Sequence, residues 1–385
     1  MLNICAAPAE KSVSHVRAAV LAASTIAVMS AAGISTAFAA DTRGYVISWF
    51  HITPAAMPEK TDCPEGLNPR AEQNFINWLR QMDTPQEKIE KLLEDFPNTM
   101  YGAVTMRGRV EGEPVNVYRN PNAIPDPNIK TVQGEYAYGF NLDGDVSPND
   151  FTDPVSGEAG VDNQYFRALG CIGAERGEYN TVGELTARPL YPAIQWEHNR
   201  DQATAWLIEI NGIDDLQNDD HVDVNIFQAT RPVVKDASGE PQADMTFIVD
   251  DNPKTKNRVS GRIVDGTLLT ESFDFYMIMA KYGLNPTVEL KDARARLALS
   301  EDGAKGIIGG YQDWLDVYGG YGRGGSGIEV NVSYDVPGIY HALKKMADAA
   351  PDPATGQNTM ISSVFTVEAV PAFIQHPNTQ TAENR

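Results

Sequence analysis

From residue 205 onward the chain repeats one pattern: a short run in which apolar and polar residues alternate, then a turn, then another run. Val222-Asp223-Val224-Asn225-Ile226-Phe227 shows it most plainly. Residues 205–213, 245–249, 259–263, 267–279 and 288–299 continue it. Successive side chains of a strand point to opposite faces, so a period of two marks sheet with one face buried. Turn dipeptides such as Asp265-Gly266 and Asn285-Pro286 separate the runs. Regular short strands with turn signals predict a mainly β fold, sandwich or jelly-roll-like, with a few helices.

The helices are predicted from spacing. A helical insert is expected near residues 69–96, where Phe75, Trp78 and Leu79 fall at i, i+3, i+4, and Ile89, Leu92 and Leu93 do the same. Thr84-Pro85 between them reads as a helix start. A further helix is expected over 337–350. Strands are expected at 44–51, 136–140, 328–334 and 362–373. A hairpin is expected in which 101–109 and 115–118 flank Glu111-Gly112-Glu113-Pro114. Residues 309–327, rich in glycine with Trp314, Tyr318 and Tyr321 interleaved, read as a surface loop.

Residues 1–39 read as a cleaved secretory signal. Lys11 and Arg17 precede an uncharged stretch over 18–33, and Ala37-Phe38-Ala39 fits the small-x-small cleavage rule. No apolar run reaches the roughly 20 residues of a membrane span, so no transmembrane segment is expected. The protein is placed in the periplasm or outside the cell. Behind the leader, 40–173 reads as a mixed α/β region and 174–385 as a β-rich region, with one continuous domain as the alternative. Cys63 and Cys171 form an even pair in an oxidising compartment, and a disulfide between them is expected.

Charge and motifs remove several functions. Asp and Glu outnumber Lys and Arg 52 to 31, a net charge of -21. Nucleic acid is not expected as a partner, because phosphate binding needs clustered Lys and Arg. The chain has no H-E-x-x-H, no C-x-x-C-H, no P-loop and no G-x-S-x-G. Gly320, Gly322 and Gly325 satisfy G-x-G-x-x-G, but the run leads toward a predicted strand rather than opening a helix. No nucleotide, haem or flavin signature is present.

Two acidic segments are candidates for calcium. Asp143, Asp145, Ser147 and Asn149 place side-chain oxygens at alternate positions, and Asp153 follows. Calcium takes six to eight oxygens, which such a loop can offer. Asp214, Asp219 and Asp220 form the second candidate. In both, the alternative is a solvated turn in which Asp and Asn hydrogen-bond their own backbone. Phe140-Asn141-Leu142-Asp143-Gly144, Phe151-Thr152-Asp153-Pro154 and Gly160-Val161-Asp162-Asn163-Gln164 resemble segments of uncharacterised exported proteins of Gram-negative bacteria. That resemblance implies export and carries no activity, cofactor or catalytic residue.

The local group richest in usable side chains is Trp196, Glu197, His198 and Arg200, where an aromatic ring beside Glu, His and Arg suits a sugar. The alternative is an ordinary loop in which Trp196 packs and the charges face water. Three functions follow. The first is a non-catalytic module binding a small molecule, glycan or partner, with calcium-stabilised loops. The second is a secreted hydrolase using paired carboxylates on a glycan, a chemistry that leaves almost no sequence signature. The third is a structural envelope protein assembling with another envelope component.

Overall fold

The alternating runs of the sequence become the staves of a barrel. A computed structural model describes residues 41–53, 61–95, 98–179, 185–279 and 287–377. The expected signal peptide lies outside the described residues. Eight strands follow one another in space as they do in sequence. They are β1 (Asp41–Ile52), β2 (Trp206–Ile213), β3 (Asp219–Gln228), β4 (Lys256–Val264), β5 (Thr267–Thr270), β6 (Thr287–Ser300), β7 (Gly303–Asp313) and β8 (Asn358–Gln375). Every neighbouring pair is antiparallel, and β8 pairs back onto β1 with Tyr45 opposite Pro371 and Ile52 opposite Phe365. This closure replaces the expected sandwich or jelly roll: one sheet closes on itself instead of two facing each other. Alternation is the same for both architectures, and only the β1–β8 register distinguishes them.

The inward positions are apolar and fill the interior. Ile208, Ile210, Val224, Ile226, Leu297 and Val367 belong to one continuous core. The outward positions between them include Asp223, Asn225, Arg258, Arg296 and Glu368. A transmembrane barrel shows the reverse, with an apolar outside and polar inside. Among the described residues no helix is long and apolar enough to cross a membrane. Gly306 on β7 permits closure at one tight point, since a Cβ there would stand 1.9 Å from the carbonyl oxygen of Arg296 on β6.

Helices cover one end of the barrel. β1 finishes, β6 begins, β7 finishes and β8 begins at that end. α1 (Ala71–Gln81) and α2 (Gln86–Leu93) form the expected insert, joined by α3 (Asn98–Thr105). Strand was expected from residue 101. Met100 and Val104, one helical turn apart, are buried with Val330 and make helix the better packing solution. α4 (Gln164–Leu169) precedes Cys171. α5 (Leu190–Gln202) occupies a stretch read as irregular.

The largest departure is α6 (Trp314–Val332), which takes in residues 314–327 of the glycine-rich run and most of the expected 328–334 strand, while 309–313 end β7. Six glycines and several β-branched residues argue against helix there. Asp313 caps it, its Oδ1 accepting the amides of Leu315 and Asp316. Val317, Tyr318, Tyr321 and Ile328 then bury against α4 and α7 (Val336–Met346). Tertiary burial outweighs propensity, at the cost of a kink at Gly325, where φ is 48° and the ring of Tyr118 packs close.

The expected disulfide is present. Cys63 and Cys171 tie residues 61–68 to the end of α4. Beside it Arg176 donates to both carboxylate oxygens of Asp62, each at 2.9 Å, and to the carbonyl of Gly170. The described residues, from 41 to 377, form one compact unit. β1, from the N-terminal region, is a stave between strands of the C-terminal region, so both regions build one barrel.

Candidate functional site

The covered end of the barrel holds a pocket of about 60 Å³. β1 supplies Phe50, His51 and Ile52, β7 supplies Gln312, and β8 supplies Phe365. Tyr165 of α4, Gln195 and Asn199 of α5, and Val317 and Tyr321 of α6 complete most of the wall. Among the described residues no Asp, Glu, Lys or Arg lines it. In a chain with 83 such residues this is a sharp local departure.

His51 is the chemically distinctive member. It sits where β1 leaves the barrel, and burial pushes its pKa down to about 3, so the imidazole is neutral at ordinary pH. Its Nδ1 is buried without a hydrogen-bond partner among the described residues. An unpaired buried polar atom costs about 1–3 kcal/mol, which calls for a compensating role. Gln312 and Asn199 place amides in the same wall and are themselves mostly buried.

Behind the pocket lies a polar network. The hydroxyls of Tyr165 and Tyr321 are in contact. Tyr321 donates to Oε1 of Glu175 at 3.1 Å, and Tyr334 donates to the same oxygen at 2.5 Å. Burial raises the pKa of Glu175, opposed by the two tyrosine hydrogen bonds. The nearest carboxylate in this network is therefore screened from the pocket by tyrosines.

The residues singled out from sequence fall elsewhere. Trp196 is 4% exposed. Its Nε1 donates to the carbonyl of Ser48 at 2.6 Å, and its ring meets Trp49 and Phe50, so it is core. Glu197 faces solvent, and His198 contacts Gln202 of the same helix. Arg200 pairs with Asp201 and Glu240. The segment is helical rather than a loop, and helical stepping turns Gln195 and Asn199, four apart, toward the pocket. Those two were missed because neither amide carries a chemical signature in sequence.

The acidic segments use their oxygens locally. Asp143 Oδ1 accepts the amide of Asp145, and Asp145 Oδ1 that of Val146. Ser147 donates its hydroxyl to Asp150, while the Asn149 carbonyl accepts from Gln164 and Arg167. Asp153 accepts two backbone amides and pairs with Arg296 at 2.6 Å. In the second segment Asp219 accepts the amides of Asp214 and His221, and Asp214 and Asp220 are exposed. Among the described residues no three His, Cys, Asp or Glu side chains converge as a metal-binding group.

No protein-family model, curated protein or solved structure matches this chain.

Proposed function

We propose that the protein is a non-catalytic binding module that takes an uncharged polar group of a small ligand into the capped mouth of its barrel. The observation that carries this is His51: a neutral imidazole whose buried Nδ1 has no partner among the described residues, in a wall whose described residues carry no formal charge. A charged group entering there would lose its hydration with no counter-ion to replace it. An amide, alcohol or carbonyl would meet Gln312, Asn199 and His51 as hydrogen-bonding partners. A cavity of about 60 Å³ has room for an end group of a few heavy atoms, about the space of two waters. The rest of such a ligand lies outside. The leader expected from the sequence, together with the disulfide, supports a place in the periplasm or beyond the cell.

Among the described residues the wall has no pair of carboxylates to act as acid and base, which favours binding over the hydrolase reading at this site. The test is titration with benzamide and benzyl alcohol against benzoate and benzylamine, read at the NMR signal of the Met279 methyl, which lines the pocket. The two neutral compounds shift that signal at millimolar concentration, and Gln312→Leu weakens them about tenfold. Equal response to the charged pair, or no response to the neutral pair, overturns the proposal.

A further inference from the structure

A second groove lies on the outer side of the helical cap, about 520 Å³ in volume. Arg109 comes from the short strand Gly108–Val110 and Arg119 from the turn before Pro121. Tyr318 and Leu315 come from α6, and Tyr340 from α7. The groove is thus on a different face of α6 from the one that presents Val317 and Tyr321 to the barrel mouth.

Its charge runs against that of the whole protein. Acidic residues outnumber basic ones 52 to 31, yet among the described residues no carboxylate lines this groove. Several arginines elsewhere are paired, Arg107 with Glu329, Arg176 with Asp62, Arg188 with Glu368 and Arg296 with Asp153, while Arg167, Arg231 and Arg294 donate to backbone carbonyls. Arg109 and Arg119 make no ion pair among the described residues. Arg109 is nonetheless held in place, since its Nη1 donates to the carbonyls of Met106 and Gly108, each at 2.9 Å.

The floor between them is apolar. The rings of Tyr318 and Tyr340 meet edge to face at 5.0 Å. Their hydroxyls are already engaged, Tyr318 donating to the carbonyl of Tyr118 and Tyr340 accepting from Asn122. Leu315 is 53% exposed beside them. Guanidinium groups suit the planar or tetrahedral oxyanions of carboxylate and phosphate, and aromatic rings suit an apolar body.

We propose that this groove binds a small organic anion, a carboxylate or phosphate monoester carried on an aromatic body. Arg109 and Arg119 hold the oxyanion, and Leu315, Tyr318 and Tyr340 take the ring. The volume falls in the range of ordinary small-molecule sites. This site is separate from the barrel mouth and does not depend on it.

The test uses 3-phenylpropionate and phenyl phosphate as probes and 3-phenylpropionamide as the uncharged control, read at the Leu315 methyl signals. Both anions bind, the amide binds at least about tenfold more weakly, and Arg109→Gln and Arg119→Gln each raise Kd about tenfold. The tighter of the two anions tells a carboxylate ligand from a phosphate. Arg109→Lys keeps the charge and the fold and retains part of the affinity, which separates loss of binding from loss of structure. Added salt weakens the anions and leaves the amide unchanged. Amide binding as tight as acid binding, unchanged affinity in both the Arg109→Gln and Arg119→Gln variants, or no shift at Leu315 overturns the proposal.

Discussion

Replacing His51 with leucine should stabilise the protein, and by more in acid than at neutral pH. In the unfolded chain the imidazole takes up a proton near pH 6.5; in the folded protein it resists until about pH 3. Between those values the unfolded state binds more protons, so this residue's contribution to stability falls as pH drops. Each pH unit below 6.5 costs about 1.4 kcal/mol, or about 2.7 kcal/mol near pH 4.5. Water at the partly exposed edge of the ring screens some of this, so the figure is an upper bound. Above pH 7 only the orphaned Nδ1 is relieved, a gain of about 1–3 kcal/mol. Carboxylates raised by burial have the opposite sign: Asp162 and Glu329 are raised to about 7 and Asp348 to about 6, and Glu175 and Asp335 are raised as well. They favour the folded state as pH falls, so the wild-type profile alone does not isolate His51. The informative quantity is the difference between variant and wild type in urea unfolding, measured near pH 8 and near pH 4.5. An equal gain at both would mean that the folded imidazole titrates normally in a wet pocket, and the argument for a charge-excluding site would fall with it.

Asp162→Asn should flatten the alkaline side of the same profile. Burial and the nearby carboxylates of Asp143, Asp348 and Asp150 raise the Asp162 pKa, so its contribution is lost as pH rises from about 4 to about 7. Asparagine can still accept the Leu142 amide, and the fall in urea midpoint between pH 5 and pH 8 should shrink; an unchanged fall would refute the assignment. Replacing Cys63 and Cys171 by alanine should cost about 4–5 kcal/mol, the loop-closure entropy of a sequence separation of 108. Urea unfolding should show a lower midpoint with a steeper slope, and a loss below about 1 kcal/mol would mean the intervening segment is already constrained when unfolded.

The sequence showed the material of this fold better than its closure. Val222, Val224 and Ile226 announce a strand because their period reports a local geometry. The pairing of Tyr45 with Pro371 is a fact about residues more than 300 apart, and no local pattern encodes it. The helices of the cap were misread where context overruled preference. Six glycines in α6 and the β-branched Val330 and Val332 favour other states, and Tyr318 and Tyr321 overrule them only once α4 and α7 are in place. The site was hidden for a related reason. His51 is a lone histidine on a strand, and Gln195, Asn199 and Gln312 are ordinary amides. Their meaning comes from convergence at the barrel mouth. Trp196 and Arg200 looked more chemical and turned out to pack and to pair.

Closure of the barrel by its first and last strands also sets how the chain must fold. β1 gains its partners only when β2 and β8 exist, and β8 is the last strand described. Until then it offers an unpaired edge carrying Tyr45, Ile47 and Phe50, apolar side chains with no interior to enter. Contacts this distant in sequence are slow to form, because a long loop must close before they can. Completion of the molecule is therefore a race between late ring closure and edge-to-edge association of incomplete chains, and loss of the final strand should send the outcome toward aggregates.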